Sequence, residues 1–340
     1  MKAYLQKISY YYPEKCLTNE DLTALHPEWS AEKISKKTGI YKRYQSSYDE
    51  TAVDMAEKAA LKLFEEHDIY REEIDFVILC TQSSDYFLPT SACILQDRLG
   101  LSEGCGAYDY NLGCSGYVYG LGMAKGLIES GQAKNVLLLT SETYTKYIHP
   151  LDKSCKTIFG DGATASLISS AIHNNGMNAV IMQPSYLTLG SKYNTLIVNN
   201  GASRHQIYDG LDELAEDGSF VRNANNLFMD GKEIFEFCAI RVPELLYKNL
   251  GVNGLLLDDV DWFVFHQANQ YMLNFVKIKC KLPADKFVVD LADGGNTVSS
   301  TIPIVLSKMH KEGKITKGQS LALSGFGVGL SIANTILKIE

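Results

Sequence analysis

The feature that most constrains this chain is the stretch 108–128. A half-apolar run, 107–112, meets a turn of small residues, Gly113-Cys114-Ser115-Gly116, and Val118, Leu121, Leu127 and Ile128 follow at spacings suited to a buried helix. The pattern predicts a strand, a tight turn and a helix, with Cys114 at the junction. A helix N-terminus carries unpaired N–H groups and partial positive charge. Both favour a thiolate, and such a site lowers a cysteine pKa from about 8.5. The glycines leave room for a substrate to approach the backbone. Taken alone, the stretch leaves two readings open: an activated nucleophile, or a small residue packed at a tight turn.

The flanking chain reads as an α/β protein. The continuous apolar run at 76–80 predicts a strand buried on both faces of a sheet, and 135–141 and 260–265 read as further buried strands. A strand is expected at 2–9 and another at 287–291. Amphipathic or capped patterns predict helices at 51–67, 89–99, 233–250 and 270–279, and a short polar one at 32–38 stopped by Gly39. Gly294-Gly295-Asn296-Thr297 is a second small-residue turn running into a helix, and Gly325-Phe326-Gly327-Val328-Gly329 precedes a last strand ending near Ile339. The first 170 residues and the last 110 share one order of parts, which suggests two copies of one α/β unit. The expected division is 1–171 as one half, 172–230 as a polar, loop-rich connection and lid, and 231–340 as the second half.

Bulk properties exclude several classes. At net charge −8 there is no general electrostatic case for nucleic acid or an anionic membrane. No apolar run reaches the roughly 18 residues of a membrane span, and the N-terminus reads as a first strand rather than a signal peptide. The eight cysteines, at 16, 80, 93, 105, 114, 155, 238 and 280, are scattered with no C-x-x-C pair. That suits reduced thiols in a cytoplasmic protein and argues against a disulfide framework or a zinc site.

A cysteine nucleophile needs a base and charge stabilisers. Among the seven histidines, His266 alone follows directly on a buried strand and precedes a helix, the place where open α/β sheets bind ligands. The other six lie in polar surroundings and are expected to be solvated. Asn296 sits at the second turn, where turn chemistry alone would also explain it. The order Cys, His, Asn is that of papain-like proteases, whose His lies roughly 130–150 residues downstream. Those proteases carry a Cys-Gly-Ser-Cys-Trp-type signature in disulfide-bearing chains, whereas Leu112-Gly113-Cys114-Ser115-Gly116 follows a buried strand in a chain expected to be cytoplasmic, so that reading is rejected.

Six motifs carry a closer likeness: Lys37-Thr38-Gly39-Ile40, Leu112-Gly113-Cys114-Ser115-Gly116, Ile158-Phe159-Gly160-Asp161-Gly162-Ala163, His266-Gln267-Ala268-Asn269, Gly295-Asn296-Thr297 and Gly325-Phe326-Gly327-Val328-Gly329. In this order and at these intervals the chain resembles β-ketoacyl-acyl-carrier-protein synthase III and its thiolase-fold relatives, nearly end to end. The resemblance implies a five-layer αβαβα fold of two related halves. It implies an acyltransferase that loads an acyl group from acyl-CoA onto Cys114 and then condenses it, with loss of CO2, with malonyl-acyl carrier protein. It assigns His266 and Asn296 as hydrogen-bond donors to the malonyl thioester oxygen, and the backbone N–H groups of Cys114 and Val328 as the oxyanion hole. Lys37, Lys153 and Asn269 would contact CoA or its pantetheine arm. Tyr86, Phe87 and Leu88 would close the acyl tunnel of a partner in a homodimer. No metal or resident cofactor is implied. Phe159-Gly160-Asp161-Gly162 is expected to be structural, with Asp161 capping backbone N–H groups.

The chain departs from the family pattern at two places. Relatives often carry a tryptophan, stacking on adenine, four residues before the arginine of their Thr-Arg-Thr-Gly-Ile motif; here that register gives Lys33 and Lys37, and Trp29 lies one turn earlier. The basic carrier-docking residue after His266-Gln267-Ala268-Asn269 is Tyr271, with Lys277, Lys279 and Lys281 as a possible substitute patch on the same helix. Such changes suggest a specialised homologue. A plain acyltransferase of the same fold, passing the acyl group to an alcohol or amine, is the alternative. A non-catalytic heterodimer subunit fits less well, since it need not keep Cys114, His266 and Asn296.

Overall fold

The computed structural model describes residues 1–206, 210–214 and 221–340; residues 207–209 and 215–220, within the expected 172–230 connection, lie outside the described residues. Ten strands join in one mixed sheet. In chain order they are β1 (Tyr4–Tyr11), β2 (Phe76–Cys80), β3 (Gly106–Tyr110), β4 (Asn135–Glu142), β5 (Gly162–Ser169), β6 (Ala179–Ile181), β7 (Ser185–Thr188), β8 (Trp262–Phe265), β9 (Ser320–Gly327) and β10 (Ser331–Ile339). Their spatial order is β8-β9-β10-β6-β1-β5-β4-β2-β3, with β7 also paired to β10. Six helices cover the sheet: α1 (Ala52–His67), α2 (Ser91–Arg98), α3 (Gly116–Glu129), α4 (Gly231–Val252), α5 (Gln270–Lys279) and α6 (Thr301–Lys311).

Three apolar clusters show how the layers stack. Val53, Leu63 and Leu95 of α1 and α2 pack on Val77, Leu139 and Leu167, on one outer face. Leu246 of α4 and Leu273 of α5 pack on Phe263, Ala322 and Ile336, on the other. Between them, Leu121 of α3 and Leu306 of α6 share a cluster with Ile8, Leu138, Leu323 and Leu337, drawn from both halves. Helices, sheet half, helices, sheet half, helices make the αβαβα sandwich expected from the sequence.

The suspected repeat is real at the level of topology. In the first half β2 runs parallel to β3 and β4, β4 is antiparallel to β5, and β5 to β1. In the second half β8 runs parallel to β9, β9 is antiparallel to β10, and β10 to β6. The counterpart of β3 would be the expected strand 287–291. It is reduced to one parallel bridge, Phe263 to Phe287. The cause is Gln267, whose side-chain oxygen accepts from Asp290 N–H at 2.7 Å and whose amide donates to Phe265 C=O at 2.6 Å. One side chain takes the bonds a longer ladder would have used.

Smaller elements follow their local chemistry. The polar helix Ala31–Thr38 is capped by Ser30 and ends at Gly39, whose φ of 73° is the left-handed conformation glycine adopts at no steric cost. Thr51 caps α1 with a reciprocal bond to Asp54. No helix among the described residues is long and apolar enough to cross a membrane.

Candidate active site

Both helices of the middle layer begin at small-residue turns, and these turns meet. Cys114 lies just ahead of α3, 6% exposed, and shares an apolar cluster with Val298, Tyr144, Phe159 and, at its margin, Val328. The end of β9, Gly325 to Gly327, where the sequence suggested a turn, closes over it from the other half. A Cβ on Gly325 would lie 2.7 Å from the carbonyl oxygen of Cys114, and one on Gly327 would lie 2.7 Å from Sγ. Only glycine allows that approach.

This closure overturns the expected acidity of the thiol. Burial pushes the Cys114 pKa up to about 12, while hydrogen bonding from the backbone N–H groups of Val328 and of Cys114 itself pulls the other way. Burial outweighs these two bonds, so the sulfur is held as a thiol at neutral pH.

Val298 organises the second turn. Its φ of 56° is left-handed, a costly conformation for a β-branched residue. Its N–H donates to Asn296 Oδ1 at 2.9 Å, which fixes the carboxamide so that Nδ2 is the end left to donate. Its carbonyl accepts from the Thr301 hydroxyl at 3.2 Å, and that hydroxyl lies 2.7 Å from His266 Nδ1. The Asn296 backbone is locked as well, its N–H donating to Ile158 C=O and its carbonyl accepting from Gly160 N–H, both at 3.0 Å. His266, at the end of β8, stands edge-on to Phe326 at 5.6 Å between ring centroids. Burial pulls its pKa down to about 3, so the ring is neutral at working pH.

Cys114, Asn296, His266 and Val328 are thus linked through Val298 and the end of β9 with the turn that follows it. The remaining sequence candidates sit elsewhere. Lys37 is exposed on the 31–38 helix. Lys153 Nζ lies 5.5 Å from the ring centroid of Trp29, whose buried indole also stacks on His26 at 4.1 Å. Asn269 accepts from Met272 N–H and caps α5. Tyr86, Phe87 and Leu88 are 62%, 85% and 81% exposed, so in the single chain they line no tunnel. Lys281 is not on α5, which ends at Lys279; Lys281 follows in a left-handed turn with φ of 55°. Two histidines expected to be solvated are buried instead: His26 against Trp29, and His149, which accepts from Leu151 N–H and lies 3.4 Å from Asp212. All eight cysteines are free thiols.

Asp161 does cap, as its motif suggests. Its buried carboxylate accepts from the N–H and hydroxyl of Ser46 and from the N–H and hydroxyl of Thr145, at 2.6–2.9 Å. Asp161→Ala strands four donors beside the Phe159–Asn296 bridge. The expected result is a loss on the order of 3 kcal/mol in urea unfolding, with Asp161→Asn less affected.

Sequence reasoning missed Thr301, because a threonine at a helix start reads as ordinary, and it missed Val298, because a left-handed valine has no sequence signal.

Comparison with known proteins identifies the family. Residues 108–184 match the family model for 3-oxoacyl-[acyl-carrier-protein] synthase III, and residues 250–339 match the model for its C-terminal part. The β-ketoacyl-[acyl-carrier-protein] synthase III of Clostridium perfringens is 33% identical over 329 residues, 97% of each chain. That of Xanthomonas campestris pv. campestris is 32% identical over 328 residues, 96% of this chain and 95% of that one. A crystal structure of a 3-oxoacyl-(acyl-carrier-protein) synthase III superposes with a TM-score of 0.95 at 44% identity, covering all of both chains. The chain therefore belongs to the β-ketoacyl-acyl-carrier-protein synthase III family of thiolase-fold condensing enzymes.

Proposed function

We propose that this enzyme transfers an acyl group from acyl-CoA to Cys114 and condenses it with malonyl-acyl carrier protein. In the first half-reaction the thiol loses its proton to His266 Nε2, and the sulfur attacks the thioester carbonyl. The oxyanion is held by the N–H groups of Cys114 and Val328, and CoA leaves as the thiol with the proton returned. In the second, the malonyl thioester oxygen sits between His266 and Asn296. The carboxylate leaves as CO2, and the carbanion attacks the acyl-cysteine, releasing the Cys114 thiolate. Acyl-CoA is a substrate here, not a resident cofactor.

The observation that carries the reading is the Val298 hub, which ties a fixed carboxamide and a neutral imidazole to the neighbourhood of a buried thiol. Supporting it, Lys153 beside Trp29 and the exposed Lys37 offer cationic groups for CoA phosphates, and Asn269 adds a polar group for pantetheine. The exposed Tyr86-Phe87-Leu88 tip suits insertion into a second copy, so the active form is read as a homodimer, in the cytoplasm. The division into halves 1–171 and 231–340 with a 172–230 connection belongs to the same reading.

The test is turnover of a panel of acyl-CoAs with malonyl-carrier, followed by product mass and CO2 release. A β-ketoacyl-carrier with stoichiometric CO2 is expected. Acyl-CoA consumption without CO2 in the presence of malonyl-carrier would overturn condensation in favour of plain acyl transfer.

A further inference from the structure

The apolar cluster around Cys114 holds side chains that the chemistry above does not use. Val298 and Val328 already have roles there, and Phe159 lies beside the Asn296 backbone through a parallel bridge. Of the buried members, Tyr144, Ile148, Cys155, Leu196 and Leu227 remain. With an acyl carbonyl oxygen held by the N–H groups of Cys114 and Val328, the alkyl tail points away from them and is left with these residues for walls. Tyr144 is the largest of the five and the one with a hydroxyl.

Its place is fixed. Tyr144 is 4% exposed, its ring centroid 5.3 Å from that of Phe159 and 6.0 Å from that of Tyr147. Its hydroxyl donates to Gln82 Oε1 at 2.9 Å. Gln82 is tied in turn. Its Nε2 donates to Asn111 Oδ1 at 3.0 Å, its N–H to the Glu142 carboxylate at 3.1 Å, and its carbonyl accepts from the Tyr147 hydroxyl at 3.0 Å. The same Oε1 touches the turn that carries the nucleophile: a Cβ on Gly113 would lie 2.6 Å from it. The phenol is thus bonded to an atom packed against the residue before Cys114. Burial and then the Cys114 sulfur raise the phenol pKa, so the hydroxyl keeps its proton and donates. Turning the ring aside would strand that hydroxyl in apolar surroundings, a cost no aliphatic side chain carries.

We propose that Tyr144 sets the length of the acyl group this enzyme accepts, closing the site beside Cys114 so that a short tail such as acetyl fits and a long one such as octanoyl does not. The inference rests on Cys114 as the acyl acceptor. The limit lies within one chain, whatever a second copy adds.

The test compares wild type, Tyr144→Leu and Tyr144→Phe as full chains, by two measurements at Cys114. The first is the rate of adduct formation with octanoyl-CoA relative to acetyl-CoA, read by intact mass. The second needs no acyl-CoA. It is the rate at which octyl methanethiosulfonate, relative to the methyl reagent, forms a mixed disulfide with Cys114 and releases methanesulfinate, read on the Cys114 peptide. Wild type should favour the short member of each pair on the order of tenfold or more, the usual penalty for forcing extra carbons into a packed site. Leucine removes the reach of the ring, so Tyr144→Leu should raise both long-to-short ratios on the order of tenfold. Phenylalanine keeps the ring and drops its bond to Gln82, so Tyr144→Phe should fall between, and it carries the test if Tyr144→Leu does not fold. A role in packing alone would slow both members of a pair together and leave the ratios where they are. Wild type taking the long member within about twofold of the short, or the folded variants keeping the wild-type ratios within about twofold, overturns the proposal. Failure of Cys114 as acyl acceptor looks different: wild type then forms no adduct with either CoA thioester, while the disulfide ratios still decide the role of Tyr144.

Discussion

Cys114→Ala should end acyl loading: intact mass after exposure to acyl-CoA should show an adduct on wild type and none on the variant, and condensation should fall by on the order of 10³-fold or more. The reason is geometric. The Cys114 sulfur is the group that faces the N–H groups of Val328 and of its own residue. Among the other cysteines, Cys16 and Cys93 are exposed and Cys80, Cys155, Cys238 and Cys280 are buried. The raised pKa adds a second expectation. A thiol with a pKa of about 12 is a small thiolate fraction at pH 8, and the fraction grows with each step up in pH. Alkylation of resting Cys114 by iodoacetamide, read by peptide mass, should lag behind Cys16 and Cys93 and keep rising through pH 9. An adduct that survives Cys114→Ala would remove the nucleophile from this scheme. A plateau in alkylation below pH 8 would show that the helix N-terminus governs the thiol after all.

That thiol marks where the sequence stops being legible. The strand, turn and helix around Cys114 follow from local pattern, since small residues and apolar spacing are properties of one segment. Its acidity does not, because the groups that bury it, Gly325 and Gly327, arrive from the opposite end of the chain and reach it only through the packing of two halves. His266 was visible for the same local reason as Cys114: it ends a buried strand. Its partner Thr301 was not, since nothing in the residues 297–303 says that one hydroxyl will lie against an imidazole on β8. The 287–291 segment fails in the other direction. Its short apolar, β-branched run reads as a strand, and a single glutamine, Gln267, takes up its hydrogen-bonding groups. Likewise His26 and His149 sit in polar sequence yet are buried by a tryptophan and by the neighbourhood of Asp212. Periodicity reports burial within an element; it is silent on which distant side chain fills the space beside it.

Asn296→Asp should separate the two half-reactions. The site fixes the carboxamide by a bond from Val298 N–H to Oδ1, and a carboxylate oxygen accepts that bond equally well. The Asn296 backbone, pinned to Ile158 and Gly160, need not move. What changes is the other end of the side chain: a donor becomes an oxygen of like charge to the enolate. Loss of one donor aimed at developing negative charge costs about 10²–10³ in rate, and repulsion adds to it. Loading of Cys114 does not draw on this group, so the acyl adduct should form within about threefold of the wild-type rate, while CO2 release from malonyl-carrier should fall by at least 10²-fold. Single-turnover mass spectrometry and labelled CO2 measure the two steps on one sample at pH 8. Equal loss of both steps would mean that Asn296 shapes the cysteine pocket instead of holding the enolate, and retained CO2 release would leave His266 as its sole side-chain donor.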